Sequence, residues 1–93
     1  DDLYFELARH ANEMAERLAS IIDEAGYKFY AEPCTNQVFA IFPDVLLEKM
    51  GKEFIYEFTD KVDENNTAVR FVTSWATKIE AVEALREFLN KNR

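Results

Sequence analysis

Arg70 is the residue of this chain whose type and position most clearly point to chemistry. It lies inside the run TAVRFVTSW, residues 67–75, which has the β-branched and aromatic composition of a strand. A guanidinium is always charged, and it is costly to place among apolar groups without a partner. Its planar fork matches a carboxylate or phosphate in a bidentate manner. The sequence therefore predicts that Arg70 faces an anion, which is either a cross-strand carboxylate such as Glu57 or a ligand at the edge of a cleft.

The other residues with reactive or polar side chains are weaker candidates for a functional site. His10 is the single histidine, and no second histidine or cysteine pair completes a metal site with it. Cys34 is the single cysteine, and the sequence places no histidine base beside it, so an incidental or buried thiol is predicted. Asn36, in the segment TNQ at residues 35–37, is a secondary candidate for binding. Its polar side chain is expected first to order the turn before a strand.

Composition excludes several classes of function. The chain has 93 residues, 48% of them hydrophobic, and a formal net charge of −7. One globular domain is expected, and nucleic acid and anionic membranes are disfavoured as partners because both attract clustered Lys and Arg. No apolar run reaches the roughly 18 residues that a membrane span needs. A single cysteine favours a reducing, cytoplasmic location. The two glycines stand at predicted helix ends, which excludes a phosphate-binding glycine loop.

Hydrophobic periodicity and turn signals predict seven elements that would position these residues. They are, in order, a helix at 2–25, strands at 27–32 and 36–42, a short helix at 44–50, strands at 53–58 and 67–75, and a helix after residue 77. Gly26 and Gly51 are expected to end the first two helices, and Thr77 with Glu80 should form a capping box for the third. This order predicts an α+β fold: a small antiparallel or mixed sheet of three to four strands with helices packed mainly on one face.

The side-chain pattern assigns faces to these elements. The strand at 36–42 is apolar on both faces, which predicts a central strand covered on two sides. In the strand at 67–75, Arg70 shares a mixed face with Val72 and Ser74, and the opposite face should lie on the helices. That opposite face comprises Val69, Phe71, Thr73 and Trp75. The inward stripe of the last helix is predicted to be Ile79, Val82, Leu85, Phe88 and Leu89.

Three segments together resemble the C-terminal small domain of the low-specificity threonine aldolases, which belong to the β-eliminating lyase group of fold-type-I pyridoxal-phosphate enzymes. The segments are LARHANEMA at residues 7–15, TNQVF at 35–39 and VRFVTSWAT at 69–77. They occur in the expected order, the likeness covers nearly the whole chain, and the last segment is the most specific. The resemblance implies that residues 1–93 are a single C-terminal small domain, a fragment of a longer enzyme.

The resemblance also implies a function for the parent protein. This would be a lyase of amino-acid metabolism that cleaves threonine-like β-hydroxy-α-amino acids to glycine and an aldehyde. Pyridoxal phosphate would be held on a lysine of a large domain of the same chain, and the full-length protein would be a homo-oligomer, commonly a tetramer. Arg70 stands at the position of the family arginine that binds the substrate α-carboxylate.

The segment that carries the cofactor in the family has no counterpart here. None of the six lysines lies in a segment resembling the family's cofactor-lysine motif: Lys28, Lys49, Lys52, Lys61, Lys78 and Lys91. The chain alone is therefore predicted to hold no catalytic residue, to bind no cofactor or metal, and to be inactive. Tyr4, Phe5 and Trp75 are candidates for apolar surface that the large domain covers.

Two alternatives remain open from the sequence. The chain could be the small domain of a related β-eliminating lyase or aminotransferase, because the same arginine would serve any amino-acid substrate. It could instead be a free-standing, non-catalytic binding module. The identity and stereochemistry of the substrate depend mostly on residues of the large domain.

Overall fold

The computed structural model describes residues 2–32 and 35–92 of the chain. Its elements are helix α1 (Asp2–Glu24), strand β1 (Gln37–Pro43), helix α2 (Asp44–Met50), strand β2 (Glu57–Lys61), strand β3 (Asn66–Val72) and helix α3 (Ile79–Lys91). The three strands form one antiparallel sheet in the order β1-β3-β2. The predicted α+β fold is confirmed, with three strands in the sheet.

The strand predicted at 27–32 is reduced to a single bridge. Phe29 pairs with Ala40, and the bridge is flanked by hydrogen bonds from the Tyr30 N–H to the Phe39 carbonyl (3.0 Å) and from the Ile41 N–H to the Lys28 carbonyl (2.9 Å). The segment therefore lies along the outer edge of β1. It covers backbone groups that would otherwise form an open sheet edge.

β2 lies later in the chain than the alternating pattern at 53–58 predicts. It begins at Glu57 and runs to Lys61, into the predicted loop, because its partner β3 begins at Asn66 and the intervening turn is short. A register shift between Phe58 and Asp60 marks a bulge, which interrupts the alternation. Phe58 is consequently 69% exposed, whereas Phe54 and Tyr56 precede the strand and pack against the core.

The core lies between the helices and one face of the sheet. In β1, Val38, Ala40 and Phe42 are fully buried, while the alternate positions are half-buried. β1 is thus an edge strand buried on one face, and the prediction of a central strand covered on two sides is wrong because β3 occupies the centre. The buried helical residues are Ala11, Met14, Ala15, Leu18, Ile21 and Ile22 of α1, Leu46, Leu47 and Met50 of α2, and Val82, Leu85, Phe88 and Leu89 of α3. The prediction that Ile79 belongs to the inward stripe of the last helix is wrong, because Ile79 is the first residue of α3 and is 41% exposed.

The helix ends agree with prediction at Gly26 and Gly51, which follow α1 and α2, and differ from it at the start of α3. Gly26 follows α1 with a φ of 91°, in the left-handed region, and the Tyr27 N–H donates to the Ile22 carbonyl across it (3.2 Å). The capping box predicted for α3 is wrong. Lys78 precedes the helix without a side-chain cap, because the Thr77 hydroxyl oxygen accepts a hydrogen bond from the Ser74 N–H instead (2.9 Å). Within residues 2–32 and 35–92, no helix combines the length and apolar character needed to cross a membrane.

Asp44, the first residue of α2, connects this helix to β2 and β3. Its carboxylate accepts a hydrogen bond from the Thr67 hydroxyl at 2.6 Å and forms an ion pair with Lys61, and its N–H donates to the Asn65 carbonyl at 2.8 Å. The hydrogen bonds from Lys61 and then Thr67 lower the pKa of Asp44 below its ordinary value. The folded chain therefore stabilises the ionised Asp44 carboxylate more than the unfolded chain does.

Truncating a buried residue of α1 should destabilise the domain far more than truncating an exposed one. Ile22 is 0% exposed and Ile55 is 95% exposed. We expect Ile22→Ala to cost about 2–5 kcal/mol and Ile22→Val about 0.5–1.5 kcal/mol of unfolding free energy, whereas Ile55→Ala should change it by less than about 0.5 kcal/mol. Urea denaturation followed by circular dichroism measures the three values. Similar losses for the two alanine variants would contradict the assigned core.

The Asp44 carboxylate should make folding stability depend on pH in the acid range. Because its folded-state pKa is lowered, its contribution is present above the unfolded pKa, near 3.8, and is lost as the pH falls through the folded pKa. Asp44→Asn should lower the Tm at pH 7 and flatten the decline of Tm with acidification. Glu48→Gln, on the exposed side of the same helix, is the matched control and should follow the wild-type curve. Parallel Tm–pH curves for Asp44→Asn and the wild type would refute this role.

Candidate functional site

Arg70 lies on the face of the sheet that points away from the helices. It is in the central strand, directly opposite Phe39 of β1 on one side and Glu57 of β2 on the other. Its neighbours Val69 and Phe71 point to the opposite face and are buried in the core. The Arg70 side chain is 37% exposed. The backbone is therefore fixed by hydrogen bonds on both edges of the strand, while the guanidinium reaches solvent.

Glu57 is the partner that the structure shows for this arginine among the described residues. Arg70 Nη2 donates a hydrogen bond to Glu57 Oε2, so the cross-strand salt bridge considered from the sequence is present. The Glu57 side chain is 58% exposed. An ion pair this open to water contributes at most about 1 kcal/mol to stability. It can therefore be rearranged or shared with another carboxylate at low cost.

A second carboxylate on the same face has its own partner. The bulge in β2 places Asp60 opposite Ala68, two residues along β3 from Arg70 and on the same side of the sheet. The Tyr30 hydroxyl donates to Asp60 Oδ2 at 2.9 Å, and this bond together with the Asp60 charge raises the pKa of Tyr30 above its ordinary value. Tyr30 thus reaches from the segment beside β1 across the sheet to β2. Neither Tyr30 nor Asp60 stands out in the sequence, because their meeting depends on the bulge.

Asn36 extends the pairing of β1 with β3 by one step. Its Nδ2 donates to the Thr73 carbonyl at 3.0 Å, and the Thr73 N–H donates back to the Asn36 carbonyl at 2.9 Å. The buried Thr73 hydroxyl donates to the Ala11 carbonyl of α1 at 2.7 Å. Asn36 therefore has the ordering role expected of it, and these contacts hold the chain that follows Arg70 against α1.

The loop before α3 is tied to α1 by the single histidine. His10 Nε2 bonds to the Thr77 carbonyl, and because a carbonyl oxygen only accepts, this nitrogen carries the hydrogen. The Ala76 N–H donates to the Ser74 hydroxyl at 3.1 Å, which closes the turn. His10 is therefore engaged in a structural contact, and Cys34 lies outside the described residues.

The residues present do not fit a covalently held pyridoxal phosphate. All six lysines are exposed, and Lys61 is paired with Asp44. A lysine that forms a Schiff base requires a walled site in which burial or a nearby cation lowers its pKa. Among residues 2–32 and 35–92 there is also no group of three or more His, Cys, Asp and Glu side chains that could hold a metal ion.

Apolar side chains are exposed at the start of α1 and in the loop before α3. Tyr4 and Phe5 are 70% and 66% exposed, and their rings meet edge to face with centroids 6.3 Å apart. Trp75 is 67% exposed. The predicted exposure of these three residues is observed, whereas the placement of Trp75 on the helix-facing side of the strand is wrong because β3 ends at Val72. Residues 2–9 are all exposed, so the first two turns of α1 stand away from the core. Exposed apolar patches of this kind mark interaction surfaces.

Comparison with known proteins gives a structural relative that matches almost the whole chain. A threonine aldolase from Leishmania major superposes with a TM-score of 0.94 and 26% sequence identity. The match covers 99% of this chain and 27% of that chain. No protein-family model and no curated protein matches the sequence. The resemblance to the C-terminal small domain of the threonine aldolases, predicted from three sequence segments, is confirmed by this match.

Proposed function

We propose that this chain, as the C-terminal small domain of a threonine aldolase, supplies the substrate-binding arginine of a pyridoxal-phosphate-dependent lyase. The parent enzyme would cleave threonine-like β-hydroxy-α-amino acids to glycine and an aldehyde. The observation that carries the proposal is the position of Arg70, a solvent-reaching guanidinium on the helix-free face of a domain that superposes on a threonine aldolase. The chain spans 27% of the length of that relative, so the cofactor is assigned to the remainder of the parent protein.

Arg70 would act by orientation. A guanidinium and a carboxylate form two parallel hydrogen bonds, which fix the direction of the amino acid as well as its place. Hydrogen bonds from β3 to both neighbouring strands hold the Arg70 backbone, so the side chain extends from a fixed position. Fixing the α-carboxylate lets the rest of the enzyme present the bond to be broken in one geometry. The bond-breaking groups are assigned to the remainder of the parent enzyme.

Replacing Arg70 by lysine in the full-length enzyme should weaken substrate use while keeping the positive charge. Lysine is a point charge and cannot form the bidentate pair. Hydrogen bonds to a charged group contribute about 1.5–3 kcal/mol, so we expect kcat/KM for threonine to fall by about 10- to 100-fold, with KM raised. Steady-state kinetics measures both constants. Arg86→Lys is the matched control, since Arg86 pairs with Glu24 and Glu83 at the junction of α1 and α3, and it should retain wild-type values. Unchanged kinetics for Arg70→Lys would exclude the carboxylate role.

The exposed apolar surface supports a second part of this proposal, that the large domain of the parent chain packs against it. Most of a chain like the Leishmania aldolase lies outside the matched 27%, so an intramolecular partner of sufficient size is expected. Phe5 at the start of α1 and Trp75 before α3 are about two-thirds exposed, and the His10–Thr77 hydrogen bond joins the elements that carry them. Large aromatic side chains with this exposure are typical of anchors at an interface.

Removing an aromatic anchor should therefore destabilise the full-length enzyme more than the isolated domain. Phe5→Ser and Trp75→Ser should change the unfolding free energy of the 93-residue chain by less than about 0.5 kcal/mol, because both side chains are exposed. In the full-length protein we expect a loss of more than about 1 kcal/mol. Thermal unfolding of both forms makes the comparison, with Val45→Ser, 71% exposed on α2, as the control. Equal effects in the two forms would count against the interface.

A further inference from the structure

Glu57 engages the Arg70 guanidinium in a way that leaves part of it available. The structure shows one hydrogen bond between the two side chains, from Nη2 to Oε2. Nη2 carries two hydrogens, one on each of the two guanidinium edges that can donate a pair of parallel hydrogen bonds to a carboxylate. A single bond to Nη2 occupies one of these edges. The other edge keeps its pair of parallel donors.

We infer that Glu57 is a positioning residue for Arg70: it holds one edge of the guanidinium so that the other edge meets the substrate carboxylate. This inference rests on the proposed role of Arg70. The two residues are directly opposite in register on adjacent strands, so their Cβ atoms are fixed at close range by the sheet itself. Glu57 thereby holds the long, flexible Arg70 side chain in place before the substrate binds. The cost of ordering that side chain on binding falls accordingly.

Glu57 could act in the opposite sense, as a competitor that the substrate must displace. Its negative charge repels an incoming carboxylate, but its side chain is 58% exposed and water screens that repulsion strongly. The ordering cost of an arginine side chain, with its several rotatable bonds, is the larger quantity. Positioning therefore outweighs competition at this site.

The neighbouring acidic residue provides a natural control. Asp60 lies on the same strand and the same face as Glu57, opposite Ala68 in place of Arg70. Its carboxylate accepts the hydrogen bond of the Tyr30 hydroxyl. Neutralising Asp60 changes the charge of the face by the same amount as neutralising Glu57, without touching the Arg70–Glu57 contact. A difference in KM between the Glu57 and Asp60 variants therefore reports the loss of the Arg70–Glu57 contact and not the change in the overall charge of this face.

The test is steady-state kinetics of the full-length enzyme with threonine, using Glu57→Ala, Glu57→Gln and Asp60→Asn. Glu57→Ala should raise KM by about 2- to 5-fold with little change in kcat, which corresponds to restoring part of the ordering cost of one side chain. Glu57→Gln keeps an acceptor oxygen and should restore most of the wild-type KM, and Asp60→Asn should match the wild type. A merely structural loss would reduce the active fraction, which lowers the apparent kcat and leaves KM unchanged.

Two outcomes would overturn the inference alone: an unchanged KM for Glu57→Ala, or a KM for Glu57→Gln well below the wild-type value, which would identify Glu57 as a competitor. Arg70→Lys, measured in the same series, separates these outcomes from failure of the proposed function. A raised KM for Arg70→Lys with a wild-type KM for Glu57→Ala retains the arginine clamp and rejects only the positioning role. A wild-type KM for Arg70→Lys rejects both. In the double variant Glu57→Ala/Arg70→Lys, the two effects should be less than additive, because Glu57 is expected to act through Arg70.

Discussion

The pairing of β3 with a neighbour on each edge is the constraint on which the rest of the structure depends. Because the strand is hydrogen-bonded to β1 and β2, its alternating side chains are committed to two faces. Val69 and Phe71 complete the core against the helices, and Arg70 between them is directed to the open face. A slip of one residue in this pairing would bury the guanidinium and expose the core residues. The burial of the helix-facing side chains thus fixes the register that positions the arginine.

On the face of the sheet that carries Arg70, polar contacts between side chains hold the residues that the helices do not cover. Glu57 pairs with Arg70, and Asp60 is bonded to Tyr30, so each carboxylate of β2 on this face has a defined partner. The bulge between Phe58 and Asp60 makes the Asp60–Tyr30 contact possible, because it returns Asp60 to the side of the sheet on which Glu57 lies. At the far end of β3, Thr73 joins Asn36 and Ala11, which anchors the strand end to α1. Of these contacts, the one with Glu57 is made by the Arg70 side chain itself.

Several features could be predicted from local sequence because local physics determines them. Four residues of the stripe predicted for the last helix, Val82, Leu85, Phe88 and Leu89, are buried, and Gly26 adopts the positive φ expected of a residue ending a helix. Others could not. The capping box at Thr77 and Glu80 matched a known pattern, yet the Thr77 hydroxyl is used by the Ser74 N–H. The alternation at 53–58 matched a strand, yet the strand forms only where β3 offers a partner, four residues later. A strand exists through pairing, so its limits depend on residues distant in sequence.

For the candidate site, the sequence by itself determined the anomalous residue and its face. A charged arginine within an apolar strand required an anion, and the period of two placed it opposite Val69 and Phe71. The three segments around and before it also indicated the family whose fold the structure then confirmed. Only the tertiary structure decided which carboxylate Arg70 contacts, how exposed that contact is, and that Asp60 is held by Tyr30. Those facts depend on strand order and on a one-residue bulge, which arise from pairing between distant segments and leave no local signal in the chain.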